Sequence, residues 1–127
     1  MKLTPNPLPD PTQSIEGEHR FQIQLINLLN DAVEAGKPKE EISSVLTQLY
    51  AYSEAHFMSE ELLMRLDSYD EYQSHVDEHQ EMVQMLKDMV HNVDNGNLNL
   101  LPGKVQSALA FLVNHINTSD RRYVTHR

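Results

Sequence analysis

Four stretches of this chain repeat their apolar residues every three or four positions, and each carries at least one histidine in the same stripe. Ile15, His19, Ile23, Ile26 and Val33 mark the first stripe, and Leu46, Leu49, Tyr52, His56, Glu60 and Leu63 the second. His75, His79, Met82, Leu86, Met89 and Val93 mark the third, and Val105, Ala108, Phe111, Leu112, His115 and Ile116 the fourth. The punctuation between them agrees. Ser14 can cap the first helix, and "AGKP" at 35–38 ends it. The second helix is expected from about Lys39 to Leu66, "DSYD" at 67–70 reads as a turn, and the third helix runs to about Val93. "DNGN" at 94–97 opens a loop, and Pro102 suits the first position of the fourth helix. Short connections between four amphipathic helices predict an all-α, up-down-up-down antiparallel four-helix bundle over residues 14–127. Residues 1–13, MKLTPNPLPDPTQ, hold four of the six prolines and predict an extended N-terminal arm.

Composition narrows the chemistry. A chain of 127 residues fits one domain with its own core. There is no cysteine, which excludes disulfides, thiolate metal sites and thiol catalysis. A net charge of −9 without a Lys/Arg cluster argues against nucleic acid or an anionic membrane as partner. No signal peptide or long apolar span is evident, so a cytoplasmic location is expected. No nucleophile–base constellation or phosphate loop is present. Met82, Met85 and Met89 read as core filler, and Tyr52 and Tyr123 are expected to pack near the histidines.

The histidines are the unusual feature. A single inward histidine is ordinarily a packed core residue bonded to a neighbour. Here five of the seven, His19, His56, His75, His79 and His115, fall on inward stripes together with Glu60 and Asp120. Burying that many polar groups is costly unless each has a partner, and a metal site supplies partners to all at once. His56 and Glu60 share one helix face at a spacing of four, as do His75 and His79. His115 and Asp120 are five apart, badly out of line on an ideal helix, and require a local distortion or a long reach. His91 lies about 120° round its helix from His79, and His126 about 16 Å along the axis from His115, so neither is a candidate. Imidazole with carboxylate and no sulfur suits iron or manganese and does not exclude zinc. Seven groups are too many for one ion but suit two, with one coordination position left open.

"IEGEH" (15–19), "HFMSEE" (56–61), "HVDEH" (75–79) and "HINTSD" (115–120) together resemble the hemerythrins, in particular the single-domain bacterial ones, from about Ile15 to Tyr123. The five-residue gap from His115 to Asp120 is that family's own spacing. The resemblance implies two non-haem iron ions joined by an oxo or hydroxo bridge. One iron would be held by His75, His79 and His115, the other by His19 and His56, with Glu60 and Asp120 bridging. It further implies reversible dioxygen binding at the open iron, for carriage, storage or scavenging, without enzymatic turnover. Members of the family also occur as terminal domains of signalling proteins. An oxygen or redox sensor with a signalling partner or fused output domain is therefore an alternative, and a di-iron peroxidase or oxidase another.

Several positions depart from the family pattern. Glu16 stands where similar proteins carry aspartate, Glu18 replaces the commoner glutamine, and Phe111 stands where tryptophan is usual. Gln22, three residues after His19, replaces an aliphatic residue and is expected beside it, facing a ligand pocket completed by Ile23, Phe111 and Leu112. A plainer role for Gln22 is a flank residue bonded to neighbouring backbone; a sharper one is an amide that hydrogen-bonds a ligand or admits water, which would favour oxidation of a diferrous site over stable oxygen carriage.

Overall fold

The computed structural model describes the backbone of residues 11–126, and side chains from Gly17 to His126. Helix α1 spans Pro11–Glu34, α2 Lys39–Leu66, α3 Tyr72–Asp94 and α4 Leu101–His115, the last preceded by a 3-10 turn at Leu98–Leu100. A π-helical turn, Ile116–Asp120, follows α4 directly and leads into α5, Arg121–His126. The closest packing runs α1 on α2, α2 on α3, α3 on α4 and α4 back on α1. Short loops between packed neighbours make this the expected up-down-up-down bundle. No helix among the described residues is long and apolar enough to cross a membrane.

Two boundaries differ from expectation. The expected arm, residues 1–13, lies outside the described residues up to position 10, and Pro11–Gln13 are already helical. Position 14 is therefore inside α1 and not its N-cap. Proline is tolerated in the first turn of a helix, where its missing N–H has no intrahelical acceptor. The fourth helix starts one residue before Pro102, which leaves that proline in its first turn.

All three long helices that meet a loop end in the same way. Gly36 N–H bonds Val33 C=O and Lys37 N–H bonds Ala32 C=O, at 3.1 and 3.0 Å. The pairs Ser68 to Arg65 with Tyr69 to Met64, and Gly96 to Val93 with Asn97 to Asn92, repeat this double closure at the ends of α2 and α3. It needs one residue in the left-handed region: Gly36 and Gly96 supply it freely, whereas the middle turn uses Ser68 at φ 51°.

The bundle interior is divided along its axis. Ile26 and Leu29 of α1, Leu46 and Leu49 of α2, Leu86 and Met89 of α3, and Val105 and Ala108 of α4 fill one half, and all are buried. Full burial of such side chains stabilises by about 1.5–3 kcal/mol each. The other half contains the histidines. Beyond them a small cluster of Met64, Tyr69 and Tyr123 closes the end of the bundle, with Tyr123 bonded to Asp67. The polar half thus lies between two apolar plugs, with Tyr123 in one and the half-buried Tyr52 packed against the other.

Candidate metal centre

Seven side chains converge at this end, from the first part of α1 (His19), the last part of α2 (His56, Glu60), the first part of α3 (His75, His79) and the junction of α4 with α5 (His115, Asp120). Antiparallel alternation brings these segments to one level. All seven are buried, none more than 6 % exposed. His91 and His126 are exposed and stand apart, His91 bonded to Asn95 and His126 against the Tyr69 ring.

The Nε2 atoms divide into two sets. His75, His79 and His115 form a triangle with ring centres 4.6–4.9 Å apart. His19 and His56 form a pair at 4.8 Å. Each carboxylate reaches both sets with different oxygens. Glu60 Oε1 lies 2.9 Å from His79 Nε2, while its Oε2 lies 2.9 Å from His19 Nε2 and 3.2 Å from His56 Nε2. Asp120 Oδ1 lies 2.6 and 3.1 Å from His75 and His115, and its Oδ2 lies 2.8 Å from His19. Candidate ligand atoms of Glu60, His75, His79, His115 and Asp120 lie within 4.8 Å of one another, as do those of His19, His56 and Glu60.

The π turn explains Asp120. Five residues from His115, it would point away on a regular α-helix, but the wider turn at Ile116–Asp120 returns it to the face of His115. Of the two expected routes, local distortion is the one the backbone takes.

Three further carboxylates fix the imidazoles. His56 donates its Nδ1–H to Glu18 at 2.8 Å, His79 to Glu61 at 2.8 Å and His115 to Glu78 at 2.7 Å, and Ser119 donates to both oxygens of Glu78. Each acceptor sits on the preceding helix and immediately next to a cluster residue: Glu18 beside His19, Glu61 beside Glu60, Glu78 beside His79. One residue along a helix turns about 100°, so such a neighbour misses its own cluster face and meets the next helix. Because a carboxylate only accepts, Nδ1 carries the proton and Nε2 keeps its lone pair toward the cluster. Phe57 stacks on the His79 ring at 4.1 Å and holds its plane. The roles of Glu61, Glu78 and Ser119 were not apparent from spacing; their adjacency to cluster residues is the one signal present.

The centre is electrically frustrated without a cation. Nε2 of His56, His75, His79 and His115, Glu60 Oε1 and both Asp120 oxygens are buried without a hydrogen-bond partner. Lone pairs face lone pairs. Burial would lower His19 and His75, but the Asp120 and Glu60 carboxylates lying against them outweigh it and raise both to about 9 from the ordinary 6.5. Burial would raise Glu60 and Asp120, yet the surrounding imidazoles hold both below the usual carboxylate range. A positive charge is what the cluster lacks, and this nitrogen and oxygen set fits first-row divalent ions.

Of the four expected pocket residues, Gln22 and Leu112 are on the inner face and fully buried, whereas Ile23 and Phe111 are half-buried on the flanks against the core. Gln22 donates to the Ser53 hydroxyl at 2.8 Å, not to backbone as its plainer role required.

Fold and site together define a helical-bundle protein with a buried, two-part cluster of histidine and carboxylate able to hold metal. The sequence matches the family "Hemerythrin HHE cation binding domain" over residues 10–126, and the chain belongs to the hemerythrin family. It is similar to a bacteriohemerythrin of Methylococcus capsulatus, 28 % identical over 85 % of this chain and 82 % of the relative. A bacteriohemerythrin of Pseudomonas paraeruginosa is 29 % identical over 88 % of this chain and 72 % of its own length. A myohemerythrin of Theromyzon tessulatum is 29 % identical over 87 % and 81 %. No solved structure matches the chain.

Proposed function

We propose that His75, His79 and His115 hold one iron ion and His19 and His56 a second, with Glu60 and Asp120 bridging, and that the protein binds dioxygen reversibly at the two-histidine side. The observation that carries this reading is the division of each carboxylate, one oxygen toward the three-histidine set and the other toward the pair. Both sets then draw on the same two carboxylates, and they differ by one imidazole. The poorer side has the position to spare for a small ligand. A pair of ferrous ions supplies the two electrons that reversible dioxygen binding draws on.

The chain's own residues account for the rest. Glu18, Glu61 and Glu78 hold three imidazoles in the tautomer that presents Nε2 inward. The apolar half of the bundle and the Met64–Tyr69–Tyr123 plug limit water on both sides. A surface cleft of about 250 Å³, lined among the described residues by His19, Ile116, Asn117, Asp120, Arg121 and Val124, reaches the two-histidine side and offers an approach.

The test uses reduced, iron-loaded protein under anaerobic conditions. Admitting oxygen is expected to produce a visible charge-transfer band that disappears when oxygen is removed, at two irons per chain. A band that decays at once to an oxidised form moves the role to redox sensing or peroxide chemistry. Purified protein that takes up zinc but no iron overturns the proposal.

A further inference from the structure

One helical turn inward from the metal-ligand layer, about 5 Å, lies a layer with one buried side chain from each helix. Gln22 follows His19 by three residues, Ser53 precedes His56 by three, Met82 follows His79 by three and Leu112 precedes His115 by three. Gln22 and Ser53 are 0 % exposed, Met82 and Leu112 1 %. This layer is polar on one side only. Its apolar half, Met82 and Leu112, adjoins the three-histidine set, and its polar half, Gln22 and Ser53, adjoins the pair His19 and His56.

The polar half is incompletely bonded. Gln22 Nε2 donates to Ser53 Oγ at 2.8 Å, while Gln22 Oε1 is buried without any hydrogen-bond partner. Since Ser53 accepts in this bond, its own proton is free to be donated, and the amide has a second N–H in reserve. A buried polar atom without a partner is destabilising, and two aliphatic side chains would fill the same space without that cost. An amide and a hydroxyl placed at the edge of an otherwise apolar core, beside the set with the spare coordination position, are groups waiting for a third.

We propose that Gln22 and Ser53 form a hydrogen-bonding subsite that strengthens the binding, at the two-histidine position, of small ligands whose outer atom accepts or carries a proton. This rests on the metal assignment proposed above and deepens it. The pair acts on the ligand and not on the metal: Ser53 O–H and the second Gln22 N–H serve an anionic outer atom, and Gln22 Oε1 serves a protonated one. When no ligand is bound, water is the natural occupant.

The test begins with an iron count and continues with azide as the probe, titrated into the oxidised, iron-loaded protein. In Gln22→Leu and in Ser53→Ala the azide dissociation constant is expected to rise about tenfold or more, the effect of losing a hydrogen bond to a charged group. Met82→Leu alters packing in the same layer without touching a polar atom and is expected to move it by less than about threefold. Equal azide affinity in the wild type and both polar variants overturns the subsite. So does an equally large change in Met82→Leu, because packing alone would then account for it. A chain that takes up no iron overturns the metal assignment, a failure the initial count tells apart from that of the subsite. A readout independent of iron is a high-resolution crystal structure of the metal-free protein. An ordered water on Gln22 Oε1 is expected there, and an Oε1 with no partner overturns the proposal.

Discussion

Asp120 Oδ1 lies 3.1 Å from His115 Nε2 although five residues separate them, and the π turn Ile116–Asp120 is what brings the two together. The wider turn is what lets a spacing of five reach the same cluster face. Deleting Asn117 would leave Asp120 four residues from His115, on the same face of a regular α-helix, so its contribution is tested by removing the carboxylate itself in Asp120→Ala. Iron content should fall from two per chain to one or none while helical circular dichroism is retained. An Asp120→Ala variant that still takes up two irons would show that Asp120 is dispensable.

The carboxylates behind the imidazoles should matter almost as much as those between them. Glu78 accepts from both His115 and Ser119, and these bonds hold it below its ordinary pKa against the opposing effect of burial. Glu78→Ala frees the His115 ring to rotate or change tautomer, and metal affinity is expected to drop about 10–100-fold. Competition against a chelator of known affinity measures this. Glu61→Ala should act likewise through His79.

Stability of the metal-free protein should depend on pH in a defined window. His19 and His75 are raised from 6.5 to about 9, so the folded state binds their protons more tightly than the unfolded one. That contribution is fully present below pH 6.5 and is lost as pH rises through about 9. Glu60 and Asp120 are lowered, so theirs is present above the ordinary carboxylate range and lost in acid. Chelated protein should therefore unfold most reluctantly at mildly acidic pH and more easily toward pH 9. Metal binding should show the opposite trend over that interval, since the ion must displace the same protons. Urea melts with and without metal at pH 6 and 9 would reveal both slopes, and parallel slopes would contradict the assignment.

Ser68 carries a left-handed backbone at the end of α2 where the equivalent turns after α1 and α3 use glycine. Ser68→Gly is expected to stabilise the fold by about 0.5–1 kcal/mol, relief of the side-chain clash outweighing the greater freedom of glycine in the unfolded chain. A rise in the denaturation midpoint with unchanged slope checks this.

Helical periodicity made the bundle legible in advance. Apolar residues at three- and four-residue spacing need only a face to bury, and α2 spans Lys39–Leu66 as that spacing predicts. Finer placement was less accessible. The apolar spacing places Ile23 and Val33 inward, but in α1 the deepest positions are Gln22, Ile26 and Leu29, because the facing helices and not the hydropathy of α1 alone set its rotation. For the same reason Tyr52 and Leu63 lie on the flanks of α2, while Ser53 and Met64 are fully buried.

By itself the sequence determined the helices, their order and the set of seven polar residues that must share an interior, since each of these follows from local spacing and from the cost of burying polar groups. Tertiary structure decided what no spacing encodes. It placed Glu60 and Asp120 with one oxygen toward each histidine set, turned the backbone at Ile116–Asp120, and let Glu18, Glu61 and Glu78 brace imidazoles on the next helix. It also set Gln22 against Ser53 and left Oε1 unpaired. Each of these is a relation between side chains on different helices, or a backbone choice made in the presence of its neighbours, and such relations exist only once the helices have packed.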